Sequence, residues 1–168
     1  YASTADAMEK SNILYAGALK LSEMKNFGKK EIKQKIMPTI HRYGCIVLGP
    51  GMYPNNRDVE GIKYLLSNYK FKTPIIIDAN AIDIVAKDLD LLKKIDAEKI
   101  LTPNLNEFSK LIGKDLLNIE DIVREGKIFC TKYNVNLLIK SKIDTIINRD
   151  IAKFNIAGQP VLAVAGSG

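Results

Sequence analysis

The alternation of short, continuous apolar runs with amphipathic segments constrains the fold of this chain more than any other feature. Four such runs occupy residues 45–48, 75–78, 99–102 and 135–140, and they are rich in isoleucine, leucine and valine. Segments with helical periodicity separate them, at residues 56–69, 81–95 (in two pieces), 104–112 and 119–134. Continuous apolar strands that alternate with helices are typical of a largely parallel sheet covered on both faces. The sequence therefore predicts an α/β fold.

The helical segments carry their own boundary signals. Asn104 is a good N-cap with Glu107 three residues later, as in a capping box, and Gly113 is a typical helix end. Two further short strands are expected at residues 145–147 and 151–154, joined by a tight turn at residues 148–150. The expected inward-facing side chains of the two longest helices are Val59, Ile62, Leu65 and Leu66 in one and Ile122, Ile128 and Phe129 in the other.

Composition narrows the classes of function. The formal charge is +6, but the lysines are spread along the chain, most of them on predicted outer helix faces, and no basic-aromatic motif accompanies them, so we expect no nucleic-acid partner. A single histidine and two distant cysteines argue against a zinc site and a disulfide framework, and favour a reducing cytoplasm. No run of about 18 apolar residues predicts a membrane span.

Polar and glycine residues recur where the predicted strands end. Gly49-Pro50-Gly51 follows the first strand, Asp78-Ala79-Asn80 ends the second, and Thr102-Pro103-Asn104 follows the third. In open parallel sheets, ligands bind beyond the carboxyl ends of the strands. The repetition predicts a binding or catalytic protein.

Each of these residues also has a purely structural interpretation. The glycines can serve a strand-to-helix turn, the Asp78 and Asn80 side chains can cap the next helix, and Asn104 and Glu107 are explained fully by a capping box. Lys140, at the end of the fourth strand, is either solvated or available to a nucleotide phosphate. At this point both interpretations remain open.

The strongest single signal is Gly166-Ser167-Gly168, which follows the apolar run at residues 161–164. Successive small residues can direct several backbone N–H groups at one anion, and a helix that starts there adds its positive end. The chain has no GxxxxGK[ST] motif, so this is a different kind of phosphate site from a P-loop.

Taken in order, these segments resemble the C-terminal catalytic domain of the ADP/ATP-dependent NAD(P)H-hydrate dehydratases, a carbohydrate-kinase-like branch of the ribokinase superfamily. CIVLGPG at residues 45–51 resembles the family's strand and GPG turn, IIIDANA at 75–81 its DADA segment, and LTPNLNEF at 101–108 its LTPHPGEF stretch. Residues 138–140 resemble its VLKG strand, and GQPVLAVAGSG at 158–168 its GNPGMATGGTG segment. The resemblance covers about residues 45–168.

The resemblance implies a ribokinase-like three-layer α/β/α fold, with residues 1–168 as part of a single dehydratase domain. It implies repair of hydrated NADH or NADPH at the expense of ADP or ATP, with Mg²⁺ as a candidate ion and no protein-bound metal site. The implied substrate-binding residues are Gly49, Gly51, Asp78, Asn80, Asn104 and Glu107. The implied nucleotide-binding residues are Lys140, Ser141, Lys142, Ile143, Asp144 and Gly168, and the implied anion hole is Gly166, Ser167 and Gly168.

The chain starts without a methionine and stops at Gly168, just before the aspartate that the family motif places as general base, so we expect both ends to be incomplete. The resemblance also implies a homo-oligomer. Two alternatives remain within the same fold. One is a kinase for a vitamin precursor or sugar. The other is a non-catalytic nucleotide-binding homologue, motivated by Asn104 at the position of the family histidine.

Overall fold

The structure is a computed structural model that describes residues 29–50, 52 and 56–156. Helix α1 covers residues 29–40 and is α-helical at Lys29–Glu31, a π-helix at Ile32–Ile36 and α-helical again at Met37–Ile40. The other helices are α2 (Asn56–Asn68), α3 (Asn80–Ala86), α4 (Asp90–Lys93), α5 (Leu105–Ile112) and α6 (Ile119–Tyr133). The strands are β1 (Ile46–Leu48), β2 (Ile75–Ile77), β3 (Lys99–Leu101), β4 (Asn136–Ile139), β5 (Asp144–Ile147) and β6 (Ala152–Asn155).

The six strands form one sheet in the order β1-β2-β3-β4-β5-β6. The pairs from β1 to β4 are parallel, whereas β4–β5 and β5–β6 are antiparallel. The prediction of a largely parallel sheet with a terminal hairpin is confirmed. Sequential parallel neighbours joined by helices put the carboxyl ends of β1–β4 along a single edge.

Burial alternates along the strands, although their sequences are continuously apolar. Ile75, Ile77, Leu101, Leu137 and Ile139 are fully buried, whereas Ile100 and Ile146 on the opposite face of the sheet are exposed. Right-handed crossovers between successive neighbouring strands put all their helices on the same face. Within the described residues the helices therefore cover one face of the sheet. The side chains on the other face are also apolar, as is typical of a sheet that is covered on both faces.

Local sequence signals account for the helix ends. Asn104 caps α5 in a complete capping box with Glu107, and Gly113 ends that helix in the left-handed conformation at φ 67°. Asn118 caps α6, and Asn134 ends it with φ 50°. The predicted hairpin turn is closed by Asn148, whose Oδ1 accepts hydrogen bonds from the backbone N–H groups of Asp150 and Ile151.

One prediction of side-chain position is wrong. Ile128 of α6 is exposed, because the inward stripe of that helix passes through Ile122, Phe129 and Tyr133 instead. Lys99, the first residue of β3, has a buried side chain, and its Nζ donates a hydrogen bond of 2.7 Å to the Ile95 carbonyl oxygen.

None of the helices in the described part of the chain combines the length and the apolar character needed to cross a membrane.

Candidate active site

The carboxyl ends of the four parallel strands are joined to one another by backbone hydrogen bonds. The Asp78 N–H donates to the Leu48 carbonyl oxygen at 2.9 Å, and the Thr102 N–H donates to that of Ile77 at 3.0 Å. The Lys140 N–H donates to the Pro103 carbonyl oxygen at 2.8 Å. The residues that follow the strands therefore form one continuous rim, as the sequence predicted.

Gly49 lies where β1 leaves this rim, and its lack of a side chain is a structural requirement. Its φ is +124°, and a Cβ atom added there would lie 1.7 Å from the Asp78 carbonyl oxygen. Only glycine permits this approach of the two backbones. The role of Gly49 in substrate binding stays a prediction. Its backbone conformation and the close Asp78 carbonyl group explain why glycine occupies this position.

Ala79 follows Asp78 in a conformation that a residue with a side chain rarely adopts, with φ 48° and ψ −131°. Such a backbone costs on the order of 1–3 kcal/mol and persists only where the surroundings impose it. The next residue, Asn80, donates a hydrogen bond from Nδ2 to the Met52 carbonyl oxygen. The start of α3 is thereby tied to the segment that follows β1.

Asp78 and Lys140 form an ion pair across the rim, with Lys140 Nζ 2.8 Å from Asp78 Oδ1. Partial burial raises the pKa of Asp78, but hydrogen bonds from Lys140 and Thr102 and the Lys140 charge lower it by more, so this pKa lies below its ordinary value. Helix α3 has no side-chain cap, so the structural interpretation of Asp78 as a helix cap is wrong. Lys140 is likewise not simply solvated.

Thr102 is a member of the site that sequence reasoning missed. Its Oγ1 atom is buried, lies near enough to Asp78 to lower the pKa of that carboxyl group, and makes no hydrogen bond of standard geometry within the described residues. Thr102 therefore supports the Asp78 carboxylate from the neighbouring strand end. Its position directly after β3 was the available signal.

Asn104 and Glu107 are engaged in the capping box of α5. Asn104 Oδ1 accepts from the Glu107 N–H at 2.9 Å, and a Glu107 carboxylate oxygen accepts from the Asn104 N–H at 2.8 Å. Among the described residues the side-chain Nδ2 of Asn104 has no hydrogen-bond partner, so it is available to a ligand. Asn104 also forms an isolated parallel bridge with Lys140, so the predicted substrate-binding and nucleotide-binding segments are direct neighbours.

The loop after β4, which contains the predicted nucleotide-binding residues, is ordered by its own polar groups. The Ser141 N–H donates to Asp144 Oδ1 at 3.0 Å, and the Ser141 hydroxyl donates to the Ile143 carbonyl oxygen at 2.6 Å. The Lys142 and Ile143 side chains face solvent. Asp144 thus closes the loop through one oxygen of its carboxylate.

Four residues of the predicted site, Gly51, Gly166, Ser167 and Gly168, lie outside the described residues. Among the residues that the structure describes, no three His, Cys, Asp or Glu side chains are grouped so as to hold a metal ion. Mg²⁺ takes few protein ligands when phosphate oxygens and water complete its octahedron, so a nucleotide-borne Mg²⁺ is compatible with this rim.

Comparison with known proteins identifies the family. A family model described as NAD(P)H-hydrate dehydratase matches residues 7–168. The chain belongs to this family. An Arabidopsis thaliana relative named ATP-dependent (S)-NAD(P)H-hydrate dehydratase is 28% identical over 152 residues, which cover 83% of this chain and 41% of that relative. The chain thus spans less than half the length of this family member.

Solved structures agree on the fold. A ribokinase-like superfamily protein from Enterococcus faecalis V583 matches with a TM-score of 0.67 and 20% identity, over 83% of this chain and 48% of the other. The ADP/ATP-dependent NAD(P)H-hydrate dehydratase from Bacillus subtilis, crystallised with ATP/Mg²⁺, matches with a TM-score of 0.56 and 22% identity, over 74% and 44%. The predicted ribokinase-like fold and family are therefore confirmed.

Proposed function

We propose that this chain is part of a single ribokinase-like domain that dehydrates hydrated NADH or NADPH at the expense of ATP or ADP. Family membership and the name of the plant relative support the reaction. The observation that carries the proposal is the contact between the Asn104 and Lys140 segments at the rim of the sheet. Phosphoryl transfer needs its two ligands side by side, and these segments are the predicted sites of one ligand each.

The proposed reaction has two steps. The hydroxyl oxygen of the hydrated nicotinamide ring attacks the terminal phosphorus of the nucleotide, its proton passes to a general base, and ADP (or AMP) leaves. The ring carbon–oxygen bond then breaks, phosphate departs, and the neighbouring ring carbon loses a proton to restore the double bond. Positioning and neutralisation of phosphate charge supply most of the catalysis in such transfers.

The chain's own residues have distinct tasks in this scheme. Gly49, Gly51 and the Asn104 amide border the nicotinamide, and the Lys140 ammonium and the loop at 141–144 receive the nucleotide. Gly166, Ser167 and Gly168 supply backbone N–H groups to the transferred phosphoryl group. When present, Mg²⁺ neutralises charge on the nucleotide phosphates. Asp78, Asn80 and Glu107 support the rim through Lys140, Met52 and the α5 cap rather than by direct contact with substrate.

The enzyme is further proposed to act in the cytoplasm as a homo-oligomer. Cys45 and Cys130 are both free, which suits a reducing compartment. The oligomer rests on the family resemblance.

The full-length protein, incubated with hydrated NADH and either ATP or ADP, tests the proposal by recovery of dihydronicotinamide absorbance. We expect recovery only with nucleotide, and a Lys140→Met variant should need a nucleotide concentration about tenfold higher or more, because a charge-assisted contact to phosphate is lost. Lys132→Met, a change of the same type on the exposed C-terminal end of α6, is the matched control and should behave as wild type.

The alternatives give different results in the same assay. Absence of recovery with both nucleotides would refute the dehydratase. Nucleotide binding without any turnover would then favour the non-catalytic homologue, whose motive is Asn104 at the histidine position. Accumulation of a stable phosphorylated vitamin precursor or sugar would favour the kinase.

A further inference from the structure

We propose that Asp78 is a positioning residue that acts through Lys140 in nucleotide binding, and that it does not contact the nicotinamide substrate. The inference rests on the proposed nucleotide site at Lys140 and the loop after it. It is carried by the ion pair between two side chains that are 62 residues apart in sequence and meet at the carboxyl ends of β2 and β4.

The pair is sheltered enough to hold one geometry. The side chains of Lys140 and Asp78 are 33% and 25% exposed, and their separation of 2.8 Å is that of a direct charge-assisted hydrogen bond. A free lysine side chain samples many rotamers, and fixing it costs up to about 2 kcal/mol of conformational entropy. With Asp78 in place, that cost is met on folding rather than on nucleotide binding.

The Asp78 carboxylate is itself fixed by the backbone around it. The Asp78 N–H donates a hydrogen bond to the Leu48 carbonyl oxygen, and the Asp78 carbonyl group lies against Gly49. Ala79, the next residue, has a backbone conformation that a residue with a side chain rarely adopts. This segment has little freedom to move toward a substrate. It is suited to act as a rigid anchor for a more flexible side chain.

Lys140 keeps capacity for a ligand while it is anchored. An ammonium group has three donors, and within the described residues one of them is used, by Asp78. Two donors remain for phosphate oxygens. The nucleotide segment is then held by two carboxylates, Lys140 by Asp78 and Ser141 by Asp144.

A double-mutant cycle on the full-length protein tests this role, with ATP affinity measured by calorimetry for wild type, Asp78→Asn, Lys140→Met and the double variant. We expect Asp78→Asn to weaken binding about tenfold, the factor for one lost charge-assisted hydrogen bond. In the Lys140→Met background the same change should alter ATP affinity less than about twofold, because the ammonium group through which Asp78 acts is absent. In turnover, Asp78→Asn should raise KM for ATP and leave KM for hydrated NADH unchanged.

Asp83→Asn is the matched control. Asp83 pairs with Lys110 at 3.1 Å between α3 and α5, so its loss removes an ion pair between two elements without removing the contact that anchors Lys140. It should leave ATP affinity unchanged. Asp78→Glu, which retains the charge one methylene further out, should lose affinity less than Asp78→Asn and serves as the test variant if Asp78→Asn does not fold.

Additive effects in the cycle, unchanged ATP affinity in both Asp78 variants, or a rise of KM for hydrated NADH instead of ATP would each overturn the inference. A protein that binds ATP with the expected coupling but does not restore NADH would refute the proposed reaction and leave the positioning role intact. A protein that restores NADH with additive effects would do the reverse. Absence of any nucleotide binding would overturn both.

Discussion

Gly49→Ala should destabilise the protein far more than an ordinary glycine-to-alanine change. The new Cβ atom would lie 1.7 Å from the Asp78 carbonyl oxygen, about 1.6 Å inside the roughly 3.3 Å at which carbon and carbonyl oxygen normally meet. The obstacle is backbone, not the end of a flexible side chain, and the same strand end is held by the hydrogen bond from Asp78 to Leu48. Relief therefore requires β1 and β2 to separate.

The expected cost has two parts. A left-handed backbone at a residue with a side chain costs about 1–3 kcal/mol, and forcing an atom into a packed region costs about 1–3 kcal/mol more. Since about 1 kcal/mol shifts the melting temperature of a domain of this size by roughly 2–4 °C, the loss should be on the order of 10 °C.

Thermal unfolding followed by circular dichroism measures this loss, and Gly44→Ala is its control. Gly44 lies in the loop before β1, and a Cβ atom there would meet nothing within 4 Å. A melting temperature of Gly49→Ala within about 2 °C of that control would refute the reasoning, because that small shift corresponds to at most about 1 kcal/mol.

Three further outcomes are expected. Burial raises the pKa of Cys130 to about 12, so thiol reagents at about pH 8 should label Cys45 in the native protein and Cys130 only after unfolding. Peptide mass mapping measures the labelling of each cysteine, and rapid labelling of both in the native protein would contradict this expectation. Burial also lowers the pKa of Lys99, so between that lowered pKa and the ordinary lysine pKa the unfolded chain binds more protons and the free energy of unfolding should rise with pH. Lys99→Met should flatten that rise in urea titrations, and an unchanged slope would contradict the reasoning. Asn104→Ala should cost about 1 kcal/mol through its lost cap whereas Asn104→Asp should not, and equal losses would argue against the cap.

The order and type of the elements could be predicted because each depends on local physics. Apolar runs of strand length, Asn104 with Glu107, and Gly113 act over a few residues, so the strands, the α5 cap and the end of that helix follow from the sequence. The direction in which each side chain of a helix points was harder to predict. Ile128 lies next to the true inward stripe of α6, and one residue corresponds to about 100° of rotation, so a small error of phase exposes it.

The site was predictable only as a region. Strand ends with polar residues indicated the rim, but the partner of each side chain depends on contacts between distant segments. No local rule connects Asp78 with Lys140 or indicates that the Thr102 hydroxyl is buried. The sequence also offered helix capping for both Asp78 and Asn104, and only the fold separates them: Asn104 caps α5, whereas Asp78 pairs with a lysine.

The backbone itself locates the site without reference to any relative. Among the described residues, four have a left-handed φ: Gly49, Ala79, Gly113 and Asn134. Gly113 and Asn134 end α5 and α6, a position where this conformation is routine. Gly49 and Ala79 end no helix, and both lie on the rim, on either side of the contact between the first two strands.

Unfavourable backbone conformations that end no helix and form no routine turn concentrate at functional sites, because elsewhere nothing offsets their cost in free energy. The same edge holds the buried Thr102 hydroxyl and the Asp78–Lys140 pair, so backbone strain, a buried hydroxyl beside a carboxylate and a partly sheltered charge pair coincide there. This coincidence favours ligand chemistry at the rim over a merely structural turn.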